Sequence, residues 1–221
     1  MNYDAVDEAI RAGEAARVVP TICRDTLAEI ADGRRELYAA RHPLGFLCLP
    51  VHRDGEYGVC VHVWSPALAR AHATTSEVHS HSWDLVSFVL YGRVGNTLLH
   101  VADDAVAATH RVFEIHSHGD IDEIRATPRR VRYLTARHCA AGPGGTYRVP
   151  TGRFHASVIE DGRGAATVVL GRSRRSAIDL SLGPLDTPTH RVLRQRCGAG
   201  ETADAARMVL RRLAGRDARE G

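Results

Sequence analysis

From Leu44 to Gly183 the chain is cut into short apolar runs, each ended by Gly, Asp, Asn or Pro, and that rhythm leaves few architectures open. The runs GFLCLPV, YGVCVHVW, WDLVSFVLYG, NTLLHV, HRVFEIH, VRYLTAR, GTYRVP, HASVIE and AATVVLG are too short for packed helices and too evenly spaced for alternating helix and strand. They predict an antiparallel sandwich or barrel, not a parallel sheet with crossover helices. Arg53-Asp54-Gly55-Glu56 reads as the turn of a first hairpin.

Helical periodicity is confined to the two ends. Asp4 to Ala16 and Thr21 to Ala40 read as helices, the second carrying Leu27, Ile30 and Leu37 at helical spacing and stopped by His42-Pro43. Past Gly183-Pro184 a proline-containing connection leads to an amphipathic helix near Thr202 to Ala214, with Ala206, Val209, Leu210 and Leu213 on one stripe. The expected organisation is a helical arm over 1–43, a β-barrel over 44–185 and a connection with its helix over 186–221. At 221 residues these form one structural domain around one core.

Composition removes several classes of function. The net charge is +3 with acidic residues spread throughout, so no basic field invites nucleic acid. The arginine clusters at Arg129, Arg130 and Arg132 and at Arg172, Arg174 and Arg175 read as solvated faces. There is no lysine, which excludes Schiff-base chemistry, a pyridoxal phosphate anchor and a P-loop. The 5 cysteines are odd in number, lack a CxxC pair and follow no secretory leader, as reduced thiols of a cytoplasmic protein would. No apolar run approaches the roughly 20 residues of a membrane helix.

Three histidines carry the chemistry. His79 and His81 stand two apart ahead of an apolar strand, so both rings project from one face. His155 follows the turn made by Pro150 and Gly152 and opens another strand. Converging, the three would present a face of nitrogens that leaves metal positions open. A rival pair, His116 and His118 with Glu123, lies in EIHSHGDIDEI, but Gly119-Asp120 reads there as the turn of an inserted hairpin near His110 to Arg137. His42, His52, His62, His72, His100, His110, His138 and His190 read as ordinary polar residues. Cys60 and Cys139 each have a nearby histidine, His62 and His138, and are expected to be structural thiols.

At these residues the sequence resembles the cupin superfamily, whose motifs are summarised as G(x)5HxH(x)3,4E(x)6G and G(x)5PxG(x)2H(x)3N. Gly144, Pro150, Gly152 and His155 fit the second motif, with Ile159 in place of its asparagine. His79, His81 and Gly92 fit the first, with Ala73 in place of its opening glycine and Leu85 in place of its glutamate. The resemblance spans Leu44 to Arg174 and implies a mainly β fold, a double-stranded β-helix or jelly-roll barrel flanked by the N-terminal helical arm and the C-terminal helix. It also implies a metal on His79, His81 and His155. Asp84 is the nearest carboxylate to the glutamate slot and the candidate fourth ligand, although strand parity turns it away.

Three neutral imidazoles leave a divalent charge uncompensated and favour a small anionic substrate bound to the ion. Thiol dioxygenases of the superfamily use such a set on Fe(II), and the HxH strand resembles theirs as well as that of small cupins with an HxHxWD strand. The expectation is therefore an Fe(II) dioxygenase. The alternatives are a Zn, Mn or Ni cupin acting as isomerase, lyase or hydrolase, or a non-catalytic small-molecule binder. Trp83, Arg93 and Asn96 are the candidate substrate contacts, and Tyr91, Arg93 and Tyr147 the candidate catalytic groups. The partners expected are a small molecule and, through the terminal arm, a second copy of the chain in a homodimer, with neither nucleic acid nor membrane.

Overall fold

The computed structural model describes residues 1–69, 71 and 73–220, so that His72 lies outside the described residues. The protein is mainly β, with helices at both ends, as the sequence predicts. Its elements are α1 (Tyr3–Arg11), α2 (Ala15–Ala31), β1 (Ala40–Arg41), β2 (Leu47–Asp54), β3 (Tyr57–Trp64), β4 (His79–Ser80), β5 (Trp83–Tyr91), β6 (Val94–Asp103) and β7 (His110–His118). There follow β8 (Ile121–Ala141), β9 (Thr146–Val149), β10 (His155–Ile159), β11 (Ala165–Ser173), β12 (Asp179–Gly183), β13 (His190–Leu193), β14 (Gln195–Arg196) and α3 (Ala199–Glu220).

The strands form two antiparallel sheets. The first runs β14-β1-β2-β3-β11-β5-β9 and the second β13-β8-β6-β10-β4-β12-β7, with β7 pairing back onto β8. The inserted hairpin expected near His110 to Arg137 is β7 and β8, turning at Gly119. At Gly92, φ is +78° and a Cβ would fall 2.4 Å from the Gly164 carbonyl oxygen, so only glycine closes the turn between β5 and β6.

Period-two alternation divides the first sheet into two buried faces. Val59, Val61 and Val63 of β3, Val86, Phe88 and Leu90 of β5 and Ala166, Val168 and Leu170 of β11 point outward into the largest apolar core. Val6, Val19, Cys23 and Leu27 of α1 and α2 and Ala205, Ala206 and Val209 of α3 close that core from the other side. The opposite parity, with Cys48, Cys60, His62, Leu85 and Val169, faces a cavity between the sheets. The main apolar core thus lies outside the barrel, and the interior is left for chemistry.

Several boundaries differ from the sequence reading. The two helices of the N-terminal arm pack on the first sheet, with Leu27 fully buried, while Ala40 and Arg41 join the sheet itself as β1. α2 starts at Ala15 and runs through Pro20, which forfeits one helical hydrogen bond in its second turn. It ends at Ala31 because Gly33, at φ +71°, lets the Gly33 and Arg35 amides cap the Ile30 and Glu29 carbonyls. Residues after it form β1, and β13 and β14, beyond 185, complete the sheet edges. All 5 cysteines are free. No described helix is long and apolar enough to cross a membrane.

Candidate metal centre

His79 lies on β4, His81 directly after it, and His155 opens β10. In the β4–β10 ladder His155 is the direct cross-strand partner of His79, which brings the third ring beside the first. Ring centroids are 4.3 Å apart for His79 and His155, 4.7 Å for His79 and His81, and 5.1 Å for His81 and His155. One ring nitrogen from each lies within 4.8 Å of the others, so the group could hold a metal ion. No carboxylate joins it among the described residues.

Backbone carbonyls orient two of the rings. Nδ1 of His79 lies 2.9 Å from the Glu77 carbonyl oxygen, and Nδ1 of His155 lies 3.2 Å from that of Arg153. Each contact places the ring proton on Nδ1 and leaves the Nε2 lone pair for an ion. Burial pushes the pKa values of His79, His81 and His155 below the usual histidine value, and the neighbouring rings deepen the shift for His79 and His81. All three are neutral near pH 7, the form a metal requires. The His81 ring is backed by Trp83 at 4.3 Å, and its carbonyl accepts from the Gly152 amide at 2.9 Å.

The cavity measures about 340 Å³ and takes its lining from both sheets. Trp83 and Tyr147 both line it. Burial raises the Tyr147 phenol above its ordinary pKa, against the opposing pull of Ser87 and Asn96. Asn96 is buried behind the lining, its Oδ1 accepting from Ser157 Oγ at 2.7 Å, and Ser157 is the residue that reaches the cavity. Asn96, named from the sequence as a substrate contact, does not itself line the cavity.

Three other candidate residues lie outside the cavity lining. Arg93 is exposed and ion-paired with Glu160 at 2.5 Å, outside the cavity, because Glu160 follows β10 where that strand pairs with the start of β6. Tyr91 packs against the helix-covered core, where burial pushes its phenol up to about 12. Asp84 has the outward parity of Val86, and accepts hydrogen bonds from the Thr151 amide at 3.0 Å, from Thr151 Oγ1 at 2.8 Å and from Arg174. Those bonds hold its carboxyl below the usual carboxylate range. Asp84 thus braces the turn that delivers His155 and lies outside the donor group of the three histidines.

The rival set stays on the hairpin. His116 Nε2 contacts Glu114 at 3.0 Å, His118 is exposed, and Glu123 pairs with Arg125 at 2.6 Å. Their strand neighbours Ile115 and Ser117 have the other parity and line the cavity, so the hairpin forms a wall of the site without giving it a ligand.

Other lining residues went unread in the sequence. His42 stacks on Phe46 at 4.2 Å, and Phe46 touches His62 at 4.4 Å and Trp64 at 4.8 Å. The signal was present in YGVCVHVW, whose alternation puts Cys60, His62 and Trp64 on the face opposite the valines. Arg53, taken as a turn residue, also lines the cavity, and it forms no ion pair with any described residue. Its guanidinium lies over Gly58, where a Cβ would fall 2.9 Å from Nη1.

No protein-family model matches the chain, and no curated protein matches it by sequence. Solved structures that it resembles include a cupin superfamily protein from Desulfitobacterium hafniense, at 8% identity and TM-score 0.33, over 58% of this chain and 78% of that one. The polyketide cyclase RemF from Streptomyces resistomycificus aligns at 16% identity and TM-score 0.37, over 69% and 82% of the two chains. Hydroquinone 1,2-dioxygenase from a Sphingomonas species aligns at 16% identity and TM-score 0.33, over 58% and 65%.

Proposed function

We propose that the chain is a mononuclear non-haem Fe(II) dioxygenase acting on a small anionic substrate, with thiols as the first class to test. The observation that supports this most is the convergence of three neutral imidazoles, without a carboxylate among the described residues, at the wall of the cavity between the sheets. Such a set leaves the charge of a divalent ion uncompensated, and the low-dielectric surroundings strengthen its attraction for an anion. Bound iron supplies a site for the substrate anion and the redox chemistry that dioxygen needs.

The chain's own residues do the rest. His79 and His155, fixed through Nδ1, aim their lone pairs, and Trp83 walls off the open side of His81. Tyr147, whose pKa is raised by burial, keeps its proton at neutral pH and can donate it to an oxygen of the bound substrate. Arg53 supplies an unpaired guanidinium at the exposed rim, suited to a second anionic group such as a carboxylate.

Anaerobic purification with elemental analysis, followed by oxygen uptake over a panel of thiols and carboxylates, tests the reading. Iron with substrate-dependent uptake supports it. Zinc, manganese or nickel without uptake overturns it in favour of Lewis-acid isomerase, lyase or hydrolase chemistry, and binding with no turnover overturns it in favour of a carrier.

A further inference from the structure

The inner face of the first sheet carries a second group of metal-binding donors, separate from the three histidines. The Sγ atoms of Cys48 and Cys60 and a ring nitrogen of His62 all lie within 4.8 Å of one another. The β2–β3 ladder explains the grouping. Cys48 pairs directly with His62, and Cys60 stands two residues before His62 with its side chain on the same face. All three line the cavity onto which His79, His81 and His155 also open.

Two neighbouring thiols raise the alternative of a disulfide, and the register argues against it. The cross-strand partner of Cys60 is Pro50, so Cys48 and Cys60 are diagonal neighbours. Diagonal positions lie roughly 7–8 Å apart, beyond the roughly 4.4–6.8 Å between Cα atoms that a disulfide spans. An ion with bonds of about 2.3 Å to each sulfur bridges that gap without moving the strands. Two thiolates also neutralise a divalent ion, so a second dication can share the cavity with the first without strong repulsion.

We propose that Cys48, Cys60 and His62 form a second, thiophilic metal site that takes Zn(II), with its fourth position open to the cavity. Thiolate ligands favour Zn(II) and other soft ions, while an all-imidazole set suits Fe, Zn, Cu and Ni alike. The site shares no residue with the iron reading, and either can fail alone.

Reduced, metal-free protein titrated anaerobically with Co(II) and then Zn(II) tests it. The expected result is binding of two ions per chain, one of them giving a thiolate-to-cobalt charge-transfer band in the near ultraviolet that Zn(II) bleaches. Cys48→Ser and Cys60→Ser should each abolish the band and one equivalent, and His62→Gln should weaken it. His79→Ala should keep the band and lose the other equivalent. Zn(II) should also shield two of the 5 free thiols from a thiol reagent. A wild-type titration without the band, a band that survives both serine substitutions, or an intact mass showing a Cys48–Cys60 disulfide in the protein as isolated would overturn the proposal.

Discussion

The Nε2 atoms of His79 and His81 lie 3.2 Å apart, the first residue buried, the second half-buried, and both rings neutral. Two ring nitrogens with lone pairs repel at that distance unless a proton or a cation stands between them. His155→Ala should therefore lower the affinity of this site for Fe(II) by about 100-fold or more, beyond the 10–100-fold typical of outer hydrogen-bond partners. Metal content after dialysis against a weak chelator checks this.

Acid should destabilise the protein from the histidines inward. His79, His81 and His155 have folded-state pKa values below 6.5, and burial pushes His42 down to about 3. Below about pH 6.5 the unfolded chain takes up protons that the native rings refuse, so stability is complete above that pH and is lost as pH falls. Each ring contributes a slope of up to about 1.4 kcal/mol per pH unit. Urea melts between about pH 7 and pH 5 should show the loss, and His42→Gln should flatten it.

Asp84→Asn distinguishes a brace from a ligand. Losing the carboxylate that holds Thr151 and Arg174 should cost about 1–3 kcal/mol of stability and weaken metal binding about tenfold, since the turn leading to His155 loosens. Full loss of metal, equal to that of His155→Ala, would make Asp84 a ligand after all.

Leu27→Ala should destabilise the fold by about 2–5 kcal/mol, because Leu27 is fully buried between α2 and the outer face of the first sheet. Chemical denaturation measures it. A change under about 1 kcal/mol would mean that the helices contribute little to the core.

Arg53→Gln should raise KM for an anionic substrate about tenfold, the loss of roughly one charge-assisted hydrogen bond, with little change in kcat. Arg93→Gln should alter neither, since its partner is Glu160. Steady-state kinetics on the pair of variants decides between them.

The β-rich fold and the three histidines were legible because both follow from period-two alternation and from spacing, which are local properties. The helix limits were harder. Pro20 looks like a break but falls early enough in α2 to be carried, and the stop at Gly33 is set by its left-handed conformation and not by the later His42-Pro43. The fate of Arg93 and Tyr91 depended on what faces them across space, Glu160 in one case and the helix layer in the other. The second donor group was half visible: one face of β3 displays Cys60 and His62, but Cys48 joins them only through the register of β2 against β3.

X-ray absorption at the iron edge of Fe(II)-loaded protein tests the central claim most directly. The account predicts a coordination sphere with three imidazole nitrogens and no sulfur, reduced by one imidazole or emptied in His79→Ala. Sulfur scatterers at about 2.3 Å, or a spectrum unchanged by that substitution, would place the iron elsewhere and contradict it.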